Sequence, residues 1–153
     1  MQIHRSSDNK LDNSKSVFLA GPTHRTRNST YEYWREQAID LFKSMAFDGD
    51  LYLPEPFSRD YKTQIAWEEE HLEKAACILF WVPRELNLLP AFTTNIEFGE
   101  WMKSGKVVLG FPETAPGMDY MYSKALKYEV PVNNTLKETV EAAIDLVRLK
   151  NLF

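Results

Sequence analysis

The residues of this chain best suited to chemistry sit together in one segment, Thr93-Thr94-Asn95-Ile96-Glu97-Phe98-Gly99. The segment follows a long apolar run and opens a helical pattern, which places Glu97 in a first helical turn. A carboxylate there is favoured in its ionised form by the helix dipole, by up to about 1 kcal/mol. Ionised, it is a competent nucleophile toward the anomeric carbon of a sugar. The same spacing matches a capping box from Thr94 to Glu97, in which the glutamate only reaches back to the first amide of the helix. Gly99 has no capping use and costs about 1 kcal/mol in a helix interior, which implies close approach of something large. Spacing alone leaves nucleophile and cap side by side.

A second acidic group lies in Trp67-Glu68-Glu69-Glu70. Such runs commonly form a solvated face, and Glu70 with Lys74 makes an ordinary i,i+4 pair, so Glu68 stands out only weakly by position. Arg84, at the end of the longest apolar run, could neutralise a phosphate or carboxylate, or pair with Glu85 or Glu113. Gly21-Pro22-Thr23 forms a tight turn with a hydroxyl, but without the glycine spacing of a dinucleotide fingerprint or P-loop. Phe18, Tyr31 and Trp34 could stack on a base, with core packing the alternative for each. His4, His24 and His71 lack metal-ligand spacing, so neither a metal nor a cofactor is expected.

These residues need a scaffold, and the chain alternates short β-type runs with longer helical patterns. Strands are expected at 17–20, 51–53, 77–82, 107–111 and 130–132. Helices are expected from Tyr31 to about Met45, about Thr63 to Ala76, Thr94 to Ser104, about Met118 to Lys127, and Leu136 to Leu149. Cys77-Ile78-Leu79-Phe80-Trp81-Val82 is apolar throughout, the mark of a central strand buried on both faces. The expected fold class is α/β, a flavodoxin-like doubly wound five-stranded parallel sheet in the order 2-1-3-4-5, with helices on both faces. In such sheets ligands bind beyond the carboxyl ends of the strands, where most of the unusual polar residues of this chain fall.

The chain has 153 residues, enough for one domain with a proper core. Residues 1–14 are polar and read as a flexible tail, and 15–153 as a single α/β domain. The net charge is -4 without any Lys/Arg-rich run, which argues against long nucleic acids. Cys77 is the only cysteine, so no internal disulfide can form, and a reducing cytoplasm suits the chain. No apolar run is long enough to span a membrane.

From Val17 onward the sequence resembles the nucleoside 2-deoxyribosyltransferases, specifically their shorter deoxyribosyltransferase-like branch. The matching segments are Val17-Phe18-Leu19-Ala20-Gly21-Pro22-Thr23, Trp34-Arg35, Trp67-Glu68 with Leu72, Phe80-Trp81-Val82-Pro83-Arg84, Thr93 through Gly99, and Ser104-Gly105-Lys106. The resemblance implies that Glu97 attacks the deoxyribose C1′ and that Glu68 assists at the leaving base. It extends the site to Phe18, Gly21, Pro22, Thr23, Arg84, Thr94 and Asn95. It also implies a homodimer or homotetramer whose subunits complete each other's pockets, with Asn133 or Asn134 reaching across. One departure is Ala91, where the better-known transferases carry an aspartate that reads the base; Asn87, Glu85 or Asn95 would then take over that recognition. A second is Ala76, in place of an acidic residue often found at the start of the central strand.

The expected function is cleavage of the N-glycosidic bond of a (deoxy)nucleoside through a glycosyl-Glu97 intermediate, with transfer to another nucleobase or to water. A retaining pair of this kind holds its carboxyls roughly 5 to 5.5 Å apart. The alternatives are a nucleoside 5′-monophosphate N-glycosidase using Arg25, Arg84 and Thr23 for the phosphate, a non-catalytic nucleotide-binding module, and a flavodoxin-type carrier.

Overall fold

The fold was taken from a computed structural model, which describes residues 1–5, 14–23, 33–54 and 60–153. His24, Arg25, Tyr31, Glu55, Pro56 and most of the expected tail lie outside the described residues. The elements in chain order are β1 Gln2–Arg5, β2 Ser16–Ala20, α1 Trp34–Ser44, β3 Asp50–Leu53, α2 Tyr61–Lys74, β4 Cys77–Trp81, α3 Phe92–Trp101, β5 Val107–Gly110, α4 Asp119–Lys127, β6 Val132–Asn133 and α5 Leu136–Lys150.

The strands form one parallel sheet in the order β1-β3-β2-β4-β5-β6. The five-stranded expectation is thereby corrected to six strands. The five anticipated strands keep their relative order, and Gln2–Arg5 adds an edge beside β3. An edge strand needs only one neighbour and one covered face, so its polar sequence carries no apolar run to betray it. Its ladder runs Gln2 to Asp50, Ile3 to Leu51, His4 to Tyr52 and Arg5 to Leu53. His4 is buried, with its ring tilted against Tyr52 at 5.6 Å and its Nε2 3.2 Å from an Asp50 oxygen.

Strand alternation divides the core in two. Val17, Leu19, Leu51, Leu53, Cys77, Leu79 and Val108 face α1 and α5. Phe18, Ala20, Tyr52, Ile78, Phe80 and Leu109 face α2, α3 and α4. Side chains two apart on a strand share a face, so both faces of each central strand must be apolar when helices cover both.

Local chemistry sets the helix ends that matter for function. Asp60 caps α2 by accepting from the Lys62 and Thr63 amides, both at 3.1 Å, so the helix starts at Tyr61. At its other end, the Lys106 ammonium donates to the Leu72, Glu73 and Ala75 carbonyls at 2.7, 2.7 and 3.2 Å. A cation there satisfies orphan carbonyls and complements the dipole. Burial pulls the Lys106 ammonium down to about 8.

The helix after β4 begins earlier than its sequence suggests. Ala91 adopts a left-handed conformation, φ 58°, and α3 starts at Phe92 with no side-chain cap. Thr94 is therefore a buried helical residue and not a cap, and Glu97 lies in the second turn. The sixth strand is shifted as well. Val130 packs in the core and the Pro131 carbonyl accepts from the Leu109 amide, leaving Val132–Asn133 as the strand.

Gly110 marks where α5 presses on the sheet. A Cβ there would sit 2.0 Å from the Thr139 hydroxyl oxygen and 2.7 Å from the Trp81 ring. Gly110→Ala therefore overpacks the contact and should lower stability by about 1–3 kcal/mol, read as a lower urea midpoint with an unchanged slope.

Candidate active site

A solvent-open cleft at the carboxyl edge of the sheet is lined by Phe18, Gly21, Pro22, Thr23, Arg35, Pro54, Glu68, Thr93 and Glu97. The lining comes from strands, helices and the turns between them. Phe18 comes from β2 and Gly21-Pro22-Thr23 from the turn after it, Pro54 follows β3, Glu68 projects from α2, and Thr93 and Glu97 project from α3. Thr93 and Glu97 are four residues apart and so share one face of that helix.

The turn after β2 is held from α1. Trp34 Nε1 donates to the Pro22 carbonyl at 3.0 Å. Arg35 donates from Nε to the Leu19 carbonyl at 3.1 Å, from Nη1 to the Thr23 hydroxyl at 2.7 Å, and from Nη2 to the Gly21 carbonyl at 2.8 Å. Gly21 has φ 148°, and a Cβ on it would lie 2.2 Å from the Trp81 carbonyl oxygen and 2.9 Å from the Trp34 ring. Only glycine lets the chain turn this close to β4.

The two carboxylates of the cleft share one electrostatic environment. Burial pushes the Glu97 carboxyl up to about 7, reinforced by the neighbouring Glu68 and, more weakly, Glu100, while Arg35 opposes the rise. Burial also raises Glu68, against the hydrogen bond from Gln64 and the charge of Arg35. Gln64 Nε2 donates to Glu68 Oε1 at 2.6 Å. The expectation that the helix dipole keeps Glu97 ionised is corrected. The dipole acts within the first turn, Glu97 sits in the second, and desolvation next to a like charge outweighs it. The capping-box reading falls with it.

The cleft gathers Phe18, Gly21, Pro22, Thr23, Glu68 and Glu97 from the residues singled out in the sequence. Thr94, Asn95 and Arg84 lie elsewhere. Thr94 is buried, while Arg84 donates to the Gly117 carbonyl at 2.8 Å and also to Asn95 Oδ1, tying β4 and α3 to the segment before α4. Glu85 pairs with Leu89 in a small antiparallel bridge, and neither it nor Asn87 lines the cleft. Asn134 Nδ2 donates to the Phe111 carbonyl at 3.3 Å, within its own chain. Trp34 is spent on the Gly21 turn, and Ala91 is buried in the core beneath α3. Gly99 has open space where a Cβ would be, so no part of the described chain explains it by close approach.

Three lining residues had no individual role assigned from sequence. Pro54 follows the second expected strand, in a Pro-Glu-Pro loop that the rule for ligand sites in such sheets already pointed to, and Thr93 stood only as part of a motif. Arg35 was seen only as a matching pair with Trp34, although a basic residue one position into a helix facing a Gly-Pro turn was the available signal. Among the described residues, no three His, Cys, Asp or Glu side chains gather as a metal would require. Cys77 is fully buried, which pushes its thiol up to about 12 and leaves it unreactive.

The nucleoside 2-deoxyribosyltransferase-like family matches residues 14–115, a stretch that includes β2 through β5 and every residue lining the cleft. The chain belongs to this family. Membership supports, at a coarse level, an enzyme of the glycosyl-transferring or N-glycosidase type with small-molecule nucleoside substrates. Comparison with curated proteins returns no match. No described helix is long and apolar enough to cross a membrane.

The raised Glu97 carboxyl has a consequence for stability. Its folded value of about 7 exceeds its ordinary 4.5, so the protonated form is favoured by folding. The stability this group contributes is full below about pH 4.5 and is lost as pH rises through about 7. Glu97→Gln removes that loss. The variant should match the wild type in melting temperature near pH 4.5 and exceed it increasingly up to pH 8, measured by thermal denaturation across that range.

Proposed function

We propose that this protein is a nucleoside 2-deoxyribosyltransferase-like enzyme in which Glu97 is the nucleophile and Glu68 the proton donor. The observation that carries the reading is the convergence of both carboxylates on one cleft beside the Gly21-Pro22-Thr23 turn, in a region matched by the family. Two half-buried carboxyls acting on each other's ionisation titrate as a unit, and below about pH 7 the pair retains a proton.

A glycosyl transfer uses that arrangement in full. Positive charge developing at C1′ favours ionised Glu97, which leaves the proton on Glu68 for the departing base. The Glu97 carboxylate oxygen bonds to C1′ as the C1′–N bond breaks, its electron pair passing to the base nitrogen and the proton of Glu68 to the base. A second nucleobase, or water, then attacks C1′, the ester oxygen leaves with its electrons on Glu97, and the proton of the incoming group returns to Glu68. Two inversions give net retention. Phe18 offers an apolar wall to the substrate, and Thr23 and Thr93 offer hydroxyls. Of the groups named for a 5′-monophosphate, Arg84 is engaged away from the cleft and Thr23 accepts from Arg35, while Arg25 lies outside the described residues.

Oligomerisation belongs to the same reading. Phe92 and Ile96 are each 71% exposed on α3, one turn apart and beside the cleft residues Thr93 and Glu97, which suits coverage by a second copy. Light scattering after size exclusion should give at least twice the monomer mass.

The catalytic reading is tested with a purine deoxynucleoside and a free acceptor base. Base exchange shows transfer, and free deoxyribose shows hydrolysis. Glu97→Ala should reduce either to background, and a 2-fluoro-2-deoxyribosyl donor should leave a mass adduct on Glu97 of the wild type. Undiminished turnover by Glu97→Ala would remove the proposal. Glu68→Gln should cost about 10²–10⁴ in kcat. The wild-type kcat/KM should fall above about pH 7 as the pair loses its last proton, and Glu68→Gln should not show that fall.

A further inference from the structure

Arg35 is the one cation lining the cleft among the described residues, and an arginine beside a nucleoside site is readily assigned to a phosphate. Its geometry argues otherwise. Each of its three nitrogens donates inward, Nε to the Leu19 carbonyl, Nη1 to the Thr23 hydroxyl and Nη2 to the Gly21 carbonyl, and its guanidinium lies 4.6 Å from the Trp34 ring centroid. Trp34 in turn holds the Pro22 carbonyl. With a donor from every nitrogen already holding the Leu19–Thr23 turn, the guanidinium can move toward a substrate phosphate only by loosening that turn.

We propose that Arg35 is a positioning residue that fastens the Gly21-Pro22-Thr23 turn and serves as the fixed counter-charge of the Glu68–Glu97 pair, and that it does not receive a substrate phosphate. The inference rests on the function proposed above. The charged groups acting on the pair come from three helices: Arg35 from α1, Glu68 from α2 with Gln64 donating to it, and Glu97 from α3 with Glu100 on the same helix. Arg35 is the attractive partner of both carboxyls, whereas Glu100 repels Glu97. With two carboxylates and one cation already engaged on the Leu19–Thr23 turn, the described lining suits an uncharged 5′-hydroxyl better than a 5′-phosphate dianion. Removing the cation would leave two like charges to repel one another, and the pair would hold its proton to higher pH.

The test reads the carboxyls directly, through NMR titration of side-chain carboxyl ¹³C in glutamate-labelled protein, alongside kinetics on a deoxynucleoside and its 5′-monophosphate. In Arg35→Gln the upper midpoint of the pair should rise by roughly one unit, and the alkaline limb of kcat/KM should move with it. Arg35→Lys keeps the charge but not the fork. It should leave the midpoint near the wild-type value while raising KM for the deoxynucleoside several-fold. An unmoved midpoint in folded Arg35→Gln would overturn the proposal, as would a KM increase confined to the 5′-monophosphate. If Arg35→Gln fails to fold, Arg35→Lys decides: wild-type KM for the deoxynucleoside overturns the positioning role, and a raised KM at an unmoved midpoint supports it. A wild-type protein that turns over neither substrate removes the function proposed above, while the titration still decides the role of Arg35.

Discussion

Two carboxyl groups held half-buried in one cleft repel each other, and burial weakens the screening that water gives them. That repulsion is the constraint around which this end of the molecule is organised. Glu68 and Glu97 come from different helices, and neither helix can turn its carboxylate away without disturbing the apolar face it buries. Burial first and the repulsion second push the Glu97 carboxyl up to about 7, against the guanidinium of Arg35, while a hydrogen bond from Gln64 favours the ionised form of Glu68. A pair that keeps one proton close to neutrality is suited to a reaction that needs a nucleophile and an acid together.

The scaffold holds both members from beneath. Trp67, beside Glu68, packs on Phe18 of the central strand β2 with ring centroids 6.1 Å apart, and its own ring stacks on His71 at 3.8 Å. Phe98, beside Glu97, meets Phe80 of β4 edge-on at 5.5 Å. Each acid is thus the immediate neighbour of a buried aromatic, so packing fixes the backbone from which the carboxyl projects. At the far end of α2, Lys106 binds three carbonyls, so the helix carrying Glu68 is secured at both termini. The function thereby draws on residues that never approach the cleft.

The arginines show how position in the fold overrides residue type. Arg84 stands at the carboxyl end of a central strand, where a ligand-binding cation is expected, yet it spends its donors on Gly117 and Asn95 and serves as a brace between loops. Arg35 lies in a helix first turn with no motif of its own, and it is the arginine that lines the cleft. Both donate to backbone carbonyls and to a side-chain oxygen, and only Arg35 acts on the two carboxylates of the cleft.

Much of the fold and a good part of the site could be read from residue order alone. Alternation of apolar β-type runs with helical patterns reflects burial on both faces of a parallel sheet, so the α/β class and five of the six strands followed from local chemistry. The Thr93–Gly99 and Trp67-Glu68 segments, with Phe18 and the Gly21-Pro22-Thr23 turn, pointed to six residues that the structure gathers in one cleft. What residue order could not supply were properties of groups far apart in the chain. The edge strand Gln2–Arg5 exists because β3 offers it a ladder, and its own polar residues give no sign of that. The start of α3 depends on the backbone of Ala91, and that shift moved Glu97 out of reach of the helix dipole. The ionisation of Glu97 depends on Glu68 and Arg35, respectively 29 and 62 residues earlier, because electrostatic energy follows distance through space and exposure to water, which only the folded chain sets.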